Sequence, residues 1–168
     1  MTPPAFATQR ENIRTVLDLS IERKPGPEAE GLSKADAAWP CRLRRIVRTG
    51  LTFWGFPDVI EAAELLLTEL ATNALRHGRG HDIGVRVYFV SDSCVIEVAD
   101  GTPVRPERRR AGPDDESGRG LLLVESLADS WGVSSDGTTT WCALPLSKDR
   151  LRCNQPRPHT RSTEERRG

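Results

Sequence analysis

A chain of 168 residues is long enough for one domain with a substantial core, but not for two. Its 37% hydrophobic and 29% charged content is typical of globular, water-soluble proteins and excludes a disordered or membrane-embedded class. Basic and acidic residues number 24 each, which excludes a general electrostatic attraction to nucleic acid or to a membrane surface.

The amino terminus and the cysteines predict a cytoplasmic protein. Met1 is not followed by a basic segment and an apolar stretch, so we expect no secretion signal. The four cysteines (Cys41, Cys94, Cys142 and Cys153) form no C-x-x-C pair, which argues against a zinc site and against a disulfide framework. No apolar run approaches the roughly 20 residues that cross a bilayer.

The first half of the chain predicts one strand and two helices. In chain order, the elements are a strand at 16–21, a loop at 24–31, a helix at 34–49, a connector at 50–57 and a helix at 58–77. Asp58 is the predicted N-cap of the second helix, and Gly78 is its predicted C-terminal stop.

The second half predicts two hairpins separated by a polar loop and a helix. In chain order, the elements are strands at 85–89 and 94–98, a loop at 102–117, a helix at 120–129, and strands at 131–134 and 138–144 across Asp136-Gly137. This order predicts an α+β two-layer sandwich, with helices on one face of a mixed, mostly antiparallel sheet. We expect an N-terminal segment at 1–33, the folded domain at 34–146 and a disordered tail at 147–168.

Glu69 and Asn73 stand out because they are polar residues beside the apolar stripe of the second helix. At about 100° per residue they lie one turn apart on one flank of that stripe, and Asn73 falls nearly on the position of Leu66. The stripe consists of Val59, Ala63, Leu66, Leu67, Leu70 and Ala74. The pattern favours either a polar cleft between helix and sheet, or a partly buried asparagine that caps a loop beside a solvent-facing glutamate.

Two further signals follow, and each is weak alone. Alternation places Asp100 on the face of Ile96 and Val98, where an acceptor-only carboxylate could fix an amino-bearing ring, although Asp-Gly after a strand is also typical of a turn. Gly118-Arg119-Gly120 precedes an apolar helix, so its backbone N–H groups could approach an anion at the helix N-terminus. The alternative for Gly118 and Gly120 is that they only end a loop before the helix begins.

In combination, these signals resemble the GHKL ATP-binding superfamily. The segment from Glu69 to His77 (E-L-A-T-N-A-L-R-H) is similar to its N-box, and Val98-Ala-Asp100-Gly101 is similar to its first glycine box. Gly118-Arg119-Gly120-Leu121 is similar to the second glycine box, and Thr138-Thr139-Thr140-Trp141 to the closing threonine strand. The resemblance covers about residues 34–146.

The resemblance implies a site for ATP and Mg²⁺. Asn73 would ligate Mg²⁺ between the phosphates, Glu69 would be the catalytic base, and Asp100 would accept the adenine amino group. The other nucleotide-contacting positions that the motifs imply are Gly101, Gly118, Arg119, Gly120, Leu121, Thr139 and His77. His77, at the helix end, is more typical of a histidine facing the helix dipole than of a metal ligand.

Within the superfamily, the sequence resembles the stand-alone anti-sigma-factor serine kinases that read E-L-x-T-N-A-x-x-H. This implies a protein serine/threonine kinase that sequesters a sigma factor and phosphorylates a STAS-type antagonist, with a homodimer as a further assembly. No direct nucleic-acid or membrane partner is expected.

Two alternatives remain open. The first is an ATP-binding switch without transfer, which is favoured by Thr102 in place of the principal glycine and by a short, charged predicted lid at 106–117. The second is a detached histidine-kinase catalytic domain. That reading requires a partner with a phosphoacceptor helix, because no dimerisation hairpin with a surface histidine precedes Lys34 in this sequence.

Overall fold

The fold is taken from a computed structural model that describes residues 13–23, 33–78, 82–103 and 119–147. The strands are β1 (Arg14–Ile21), β2 (Ile83–Val90), β3 (Ser93–Ala99), β4 (Ser130–Val133) and β5 (Thr139–Pro145). The α-helices are α1 (Lys34–Ala37), α2 (Trp39–Phe53), α3 (Ile60–His77) and α4 (Arg119–Leu127). The predicted lid, Gly118 and most of the predicted tail lie outside the described residues.

The five strands form one open sheet in the order β1-β2-β3-β5-β4. All pairings among the described strands are antiparallel, so the parallel component of the expected mixed sheet is absent from this part of the chain. The helices cover one face of this sheet, which confirms the predicted α+β sandwich. β3 is the central strand, so the residues that follow its C-terminal end at Ala99 lie close to the covering helices.

Strand alternation assigns each strand residue to one of the two faces. The main core joins the helices to the inward residues of β2 and β3, such as Val87 and Ile96, each 0% exposed. A separate small cluster, made of Tyr88, Val90, Val95 and Ala143, belongs to the opposite face. Only strand residues with the parity of the first set face the helices.

The first predicted helix is divided in two. α1 ends at Ala37, and α2 begins at Trp39 and runs to Phe53, so residues 50–53 are helical and not a connector. Pro40 explains the division: it has no N–H and cannot sit inside a continuous helix, but it is tolerated in the first turn of a new one. Leu43, Val47 and Leu51 of α2 then face the core.

α3 begins later than predicted. A 3-10 turn at Pro57–Val59 precedes it, and Val59, not Asp58, occupies the N-cap position. Gly78 caps the other end as expected, with its N–H bonded to the Ala74 carbonyl at 2.8 Å. Among the helices of the described residues, none has the length and apolar character needed to span a bilayer.

Candidate functional site

Glu69 and Asn73 occupy the edge of a cleft on α3. Both side chains are partly buried, and the core residues Leu66 and Leu70 lie beside them on the same helix. The 3.6-residue period explains this position: one flank of the apolar stripe remains at the boundary between helix and sheet. The structure therefore favours the polar cleft over a fully solvent-facing glutamate.

Gly120 brings the start of α4 against this pair of side chains. A Cβ added to Gly120 would lie 2.8 Å from Oε2 of Glu69 and 3.4 Å from Nδ2 of Asn73. The first of these distances is shorter than any ordinary contact, so a side chain at position 120 would displace the Glu69 carboxylate. Two motifs that are about 50 residues apart in sequence thus meet at one point.

Asp100 leaves β3 on the helix-covered face, as strand alternation predicted. Its N–H donates to the Thr138 carbonyl at 3.1 Å, and its Oδ1 accepts from the Thr102 N–H at 2.9 Å. Gly101 between them has φ +67°, a conformation that favours glycine. The Asp100 side chain is partly buried at this position.

Gly78 connects Asp100 to the same cleft. A Cβ added to Gly78 would lie 3.4 Å from the Cβ of Asp100, so the end of β3 packs against the end of α3. Gly78 follows Asn73 by five positions, or about 7.5 Å along a helix axis at 1.5 Å per residue. Asp100 therefore lies beside the C-terminal end of α3, and Gly120 meets Glu69 and Asn73 one to three turns earlier along the same helix.

The remaining predicted positions are less centrally placed. His77 is exposed in the last turn of α3, and Arg119 and Leu121 belong to the first turn of α4. Thr139 pairs with Ala99 next to Asp100, but it has the parity of Ala143, on the face away from the helices. The β4–β5 hairpin thus contacts Asp100 through the backbone carbonyl of Thr138, which accepts the Asp100 N–H.

Two contributors to the cleft were missed by sequence reasoning. Arg23 donates from Nη1 to the Gly78 carbonyl at 2.6 Å, across 55 positions of sequence, and no local pattern signals such a contact. The Thr138 carbonyl accepts from the Asp100 N–H at 3.1 Å, and finding this contact requires the register between β3 and β5. Both act through backbone groups, which side-chain motifs do not reveal.

Asn73 has the donor chemistry that the sequence resemblance requires of a Mg²⁺ ligand. The Asn73 carboxamide oxygen is a hard ligand, and Mg²⁺ is commonly held by one or two protein oxygens together with substrate phosphates. Among the described residues, no three His, Cys, Asp or Glu side chains group together as a metal site. Gly120 lies in the N-terminal turn of α4, so this turn, where the helix dipole favours negative charge, lies next to Glu69 and Asn73.

The two-layer sandwich, with polar side chains between its helices and the end of the central strand, agrees with the nucleotide-binding ATPase class that the motifs resemble. Residues 37–144 match the Histidine kinase-like ATPase domain, and the chain belongs to this family. Membership of the family implies ATP binding. Relatives include serine-protein kinase RsbW from Staphylococcus aureus strains JH9, Newman and JH1, each 29% identical over 128 residues, covering 66% of this chain and 78% of the relative.

Proposed function

We propose that this chain is an ATP-dependent protein serine/threonine kinase that acts as an anti-sigma factor and phosphorylates a STAS-type antagonist. The observation that carries the proposal is the meeting of Gly120 with Glu69 and Asn73, because these are the residues to which we assign phosphate binding, proton acceptance and metal binding. Similarity to proteins named serine-protein kinase supports protein serine as the acceptor. Cytoplasmic localisation and homodimerisation are parts of the same proposal.

Each cleft residue has a role in this proposal. Asp100 accepts the adenine amino group through its second carboxylate oxygen, and the α4 N-terminus with Gly120 faces the phosphates. Asn73 would hold Mg²⁺, which would supply positive charge to stabilise the phosphates during transfer. Glu69 accepts the proton of the attacking serine hydroxyl while the serine oxygen bonds to the γ-phosphorus. The bond between the γ-phosphorus and the bridging oxygen breaks, and ADP is released.

A second candidate, an ATP-binding switch without transfer, is favoured by the environment of Thr102. This residue is 6% exposed, and its N–H is committed to Asp100. Pro103 packs against the hairpin turn, since a Cβ on Gly137 would lie 3.3 Å from the Pro103 carbonyl carbon. A loop fixed in this way favours constant adenine binding over the closing motion that turnover commonly requires.

The experiment that separates kinase from switch is the substitution Glu69→Gln. Glutamine retains the size of the side chain and a hydrogen-bonding oxygen, but it removes the basic charge. We expect near-normal ATP binding, with transfer of the γ-phosphate to a serine of the co-purified antagonist reduced at least about 10²-fold. Glu61→Gln is the matched control, because Glu61 is exposed in the first turn of the same helix.

The outcomes distinguish the two candidates. Strong labelling of the antagonist by Glu69→Gln would remove the base assignment. If even the wild-type protein transfers no label, while it binds ATP and its affinity for the partner changes with nucleotide, the switch replaces the kinase. If the wild-type protein does not bind ATP at all, both candidates fail.

A further inference from the structure

Arg23 lies just after β1 and reaches the opposite end of the cleft. Its Nη1 donates to the Gly78 carbonyl at 2.6 Å, and its backbone N–H donates to Oδ1 of Asp82 at 3.2 Å. Gly78 follows α3, and Asp82 precedes β2. One residue therefore links the exit of β1 to both sides of the α3–β2 connection.

A buried carboxylate accompanies this guanidinium. Oδ2 of Asp36, in α1, lies 4.0 Å from Nε of Arg23, and the two side chains are only 11% and 16% exposed. Nε is buried, and no described residue accepts a hydrogen bond from it. The guanidinium is thus held between a negative charge on one side and the C-terminus of α3 on the other, where unpaired carbonyls favour a cation.

Gly78 is the neighbour that Arg23 shares with Asp100. A Cβ added to Gly78 would lie 3.4 Å from Nη1 of Arg23 and 3.4 Å from the Cβ of Asp100. The two side chains therefore flank the same backbone position, with the arginine fixing its carbonyl and the aspartate resting against its Cα. A shift of this backbone changes the position of the Asp100 carboxylate.

We propose that Arg23 is a positioning residue for Asp100, and that it sets the adenine-binding end of the pocket by fixing the C-terminus of α3. The inference rests on the proposed ATP site. The inference adds Arg23, a residue outside the motifs, to that site. Through Asp100, Arg23 would contribute to the preference for adenine over guanine. Removing Arg23 also leaves the Asp36 carboxylate buried without a cation, so the test must separate a change in geometry from a loss of stability.

The test compares Arg23→Met and Arg23→Lys in calorimetric titrations with Mg²⁺-ATP and Mg²⁺-GTP. For Arg23→Met we expect the Kd for ATP to rise about tenfold, with an unchanged number of sites and a smaller preference for ATP over GTP. Arg23→Lys recovers part of the affinity, because an ammonium group can still donate to the Gly78 carbonyl. A purely structural role would reduce the number of competent sites and leave the Kd and the base preference unchanged.

Arg86→Met is the matched control. Arg86, in β2, is likewise an arginine with carboxylate partners, but it pairs with Asp18 and Glu97 on the face away from the helices. Its Kd for ATP and its base preference should equal those of the wild-type protein. If Arg23→Met does not fold, Arg23→Lys carries the test, with a rise in Kd of about threefold expected.

A double-substitution cycle identifies the route of the effect. If Arg23 acts through Asp100, adding Arg23→Met to Asp100→Asn changes the Kd by less than about twofold. A full tenfold effect in that background, or a wild-type Kd in Arg23→Met, would overturn the inference while leaving the ATP site intact. Absence of ATP binding by the wild-type protein would overturn the proposed function and this inference together.

Discussion

Gly120 and Gly78 show how single residues set the width of the cleft. At Gly120 the obstacle to a larger residue is the far end of the flexible Glu69 side chain, whereas at Gly78 it is the Ala74 carbonyl, 2.6 Å from an added Cβ. A flexible side chain can move at little cost, but helix backbone cannot. A methyl group at position 120 should therefore disturb the site more than the fold.

The substitution Gly120→Ala tests this reasoning. The added Cβ displaces the Glu69 carboxylate, so we expect phosphoryl transfer to fall about 10²-fold, as when a general base is lost, while the thermal midpoint changes little. Steady-state transfer assays and thermal unfolding are the measurements. Gly84→Ala is the control, because its Cβ would meet Ala99 at an ordinary 3.6 Å. Wild-type transfer by Gly120→Ala would show that Glu69 does not need this position.

Among the elements, α3 both closes the core and presents the candidate base. Leu67 is 0% exposed, whereas the neighbouring Leu65 is 39% exposed on the same helix. Polar residues of the cleft and buried leucines therefore belong to one rigid element. Substitutions on the buried face of α3 therefore test its contribution to stability, and substitutions on its polar flank test its contribution to the site.

Leu67→Ala and Leu65→Ala form a matched pair of element-scale substitutions. Leu67→Ala leaves a cavity in the core, and we expect it to lower the free energy of unfolding by about 2–5 kcal/mol. Leu65→Ala should lower it by about 1 kcal/mol or less, because much of that side chain already contacts water. Denaturant titrations measure both. Equal losses for the two variants would contradict the orientation of α3.

The sequence was sufficient for the elements whose pattern is local. Alternation at Val85, Val87 and Phe89 predicted β2, and a 3.6-residue period predicted α3 with its polar flank. The division at Pro40 was missed, although the rule that predicts it is local. The contact between Arg23 and Gly78 could not be predicted, because it depends on how β1 and α3 pack in three dimensions and leaves no periodic signal.

At the scale of the whole molecule, the sheet separates two environments for ionisable groups. Cys94 and Cys142 lie in the main core under the helices, and burial raises the pKa of each thiol from 9.0 to about 12. On the opposite face, burial and the hydrogen bond to Glu97 raise the pKa of Tyr88. These groups keep their protons in the folded state at pH values where they ionise in the unfolded chain.

The pKa shifts predict that stability falls in alkaline solution. Because the folded pKa of each buried thiol is raised, its contribution is fully present below pH 9 and is lost as the pH rises toward 12. Between about pH 7 and about pH 10, we expect the free energy of unfolding to fall by on the order of 1 kcal/mol for each thiol. Denaturant titrations at the two pH values measure this loss.

The double variant Cys94→Ala, Cys142→Ala assigns the loss to the thiols. Its stability at neutral pH falls because methyl-sized volume is removed from the core, but the comparison uses only the difference between the two pH values within each protein. That difference should shrink by on the order of 2 kcal/mol, and the part that remains includes Tyr88, whose raised pKa acts in the same direction. Cys41→Ala is the control, because Cys41 is exposed on α2. An unchanged pH difference in the double variant would show that Cys94 and Cys142 ionise as readily in the folded protein as in the unfolded chain.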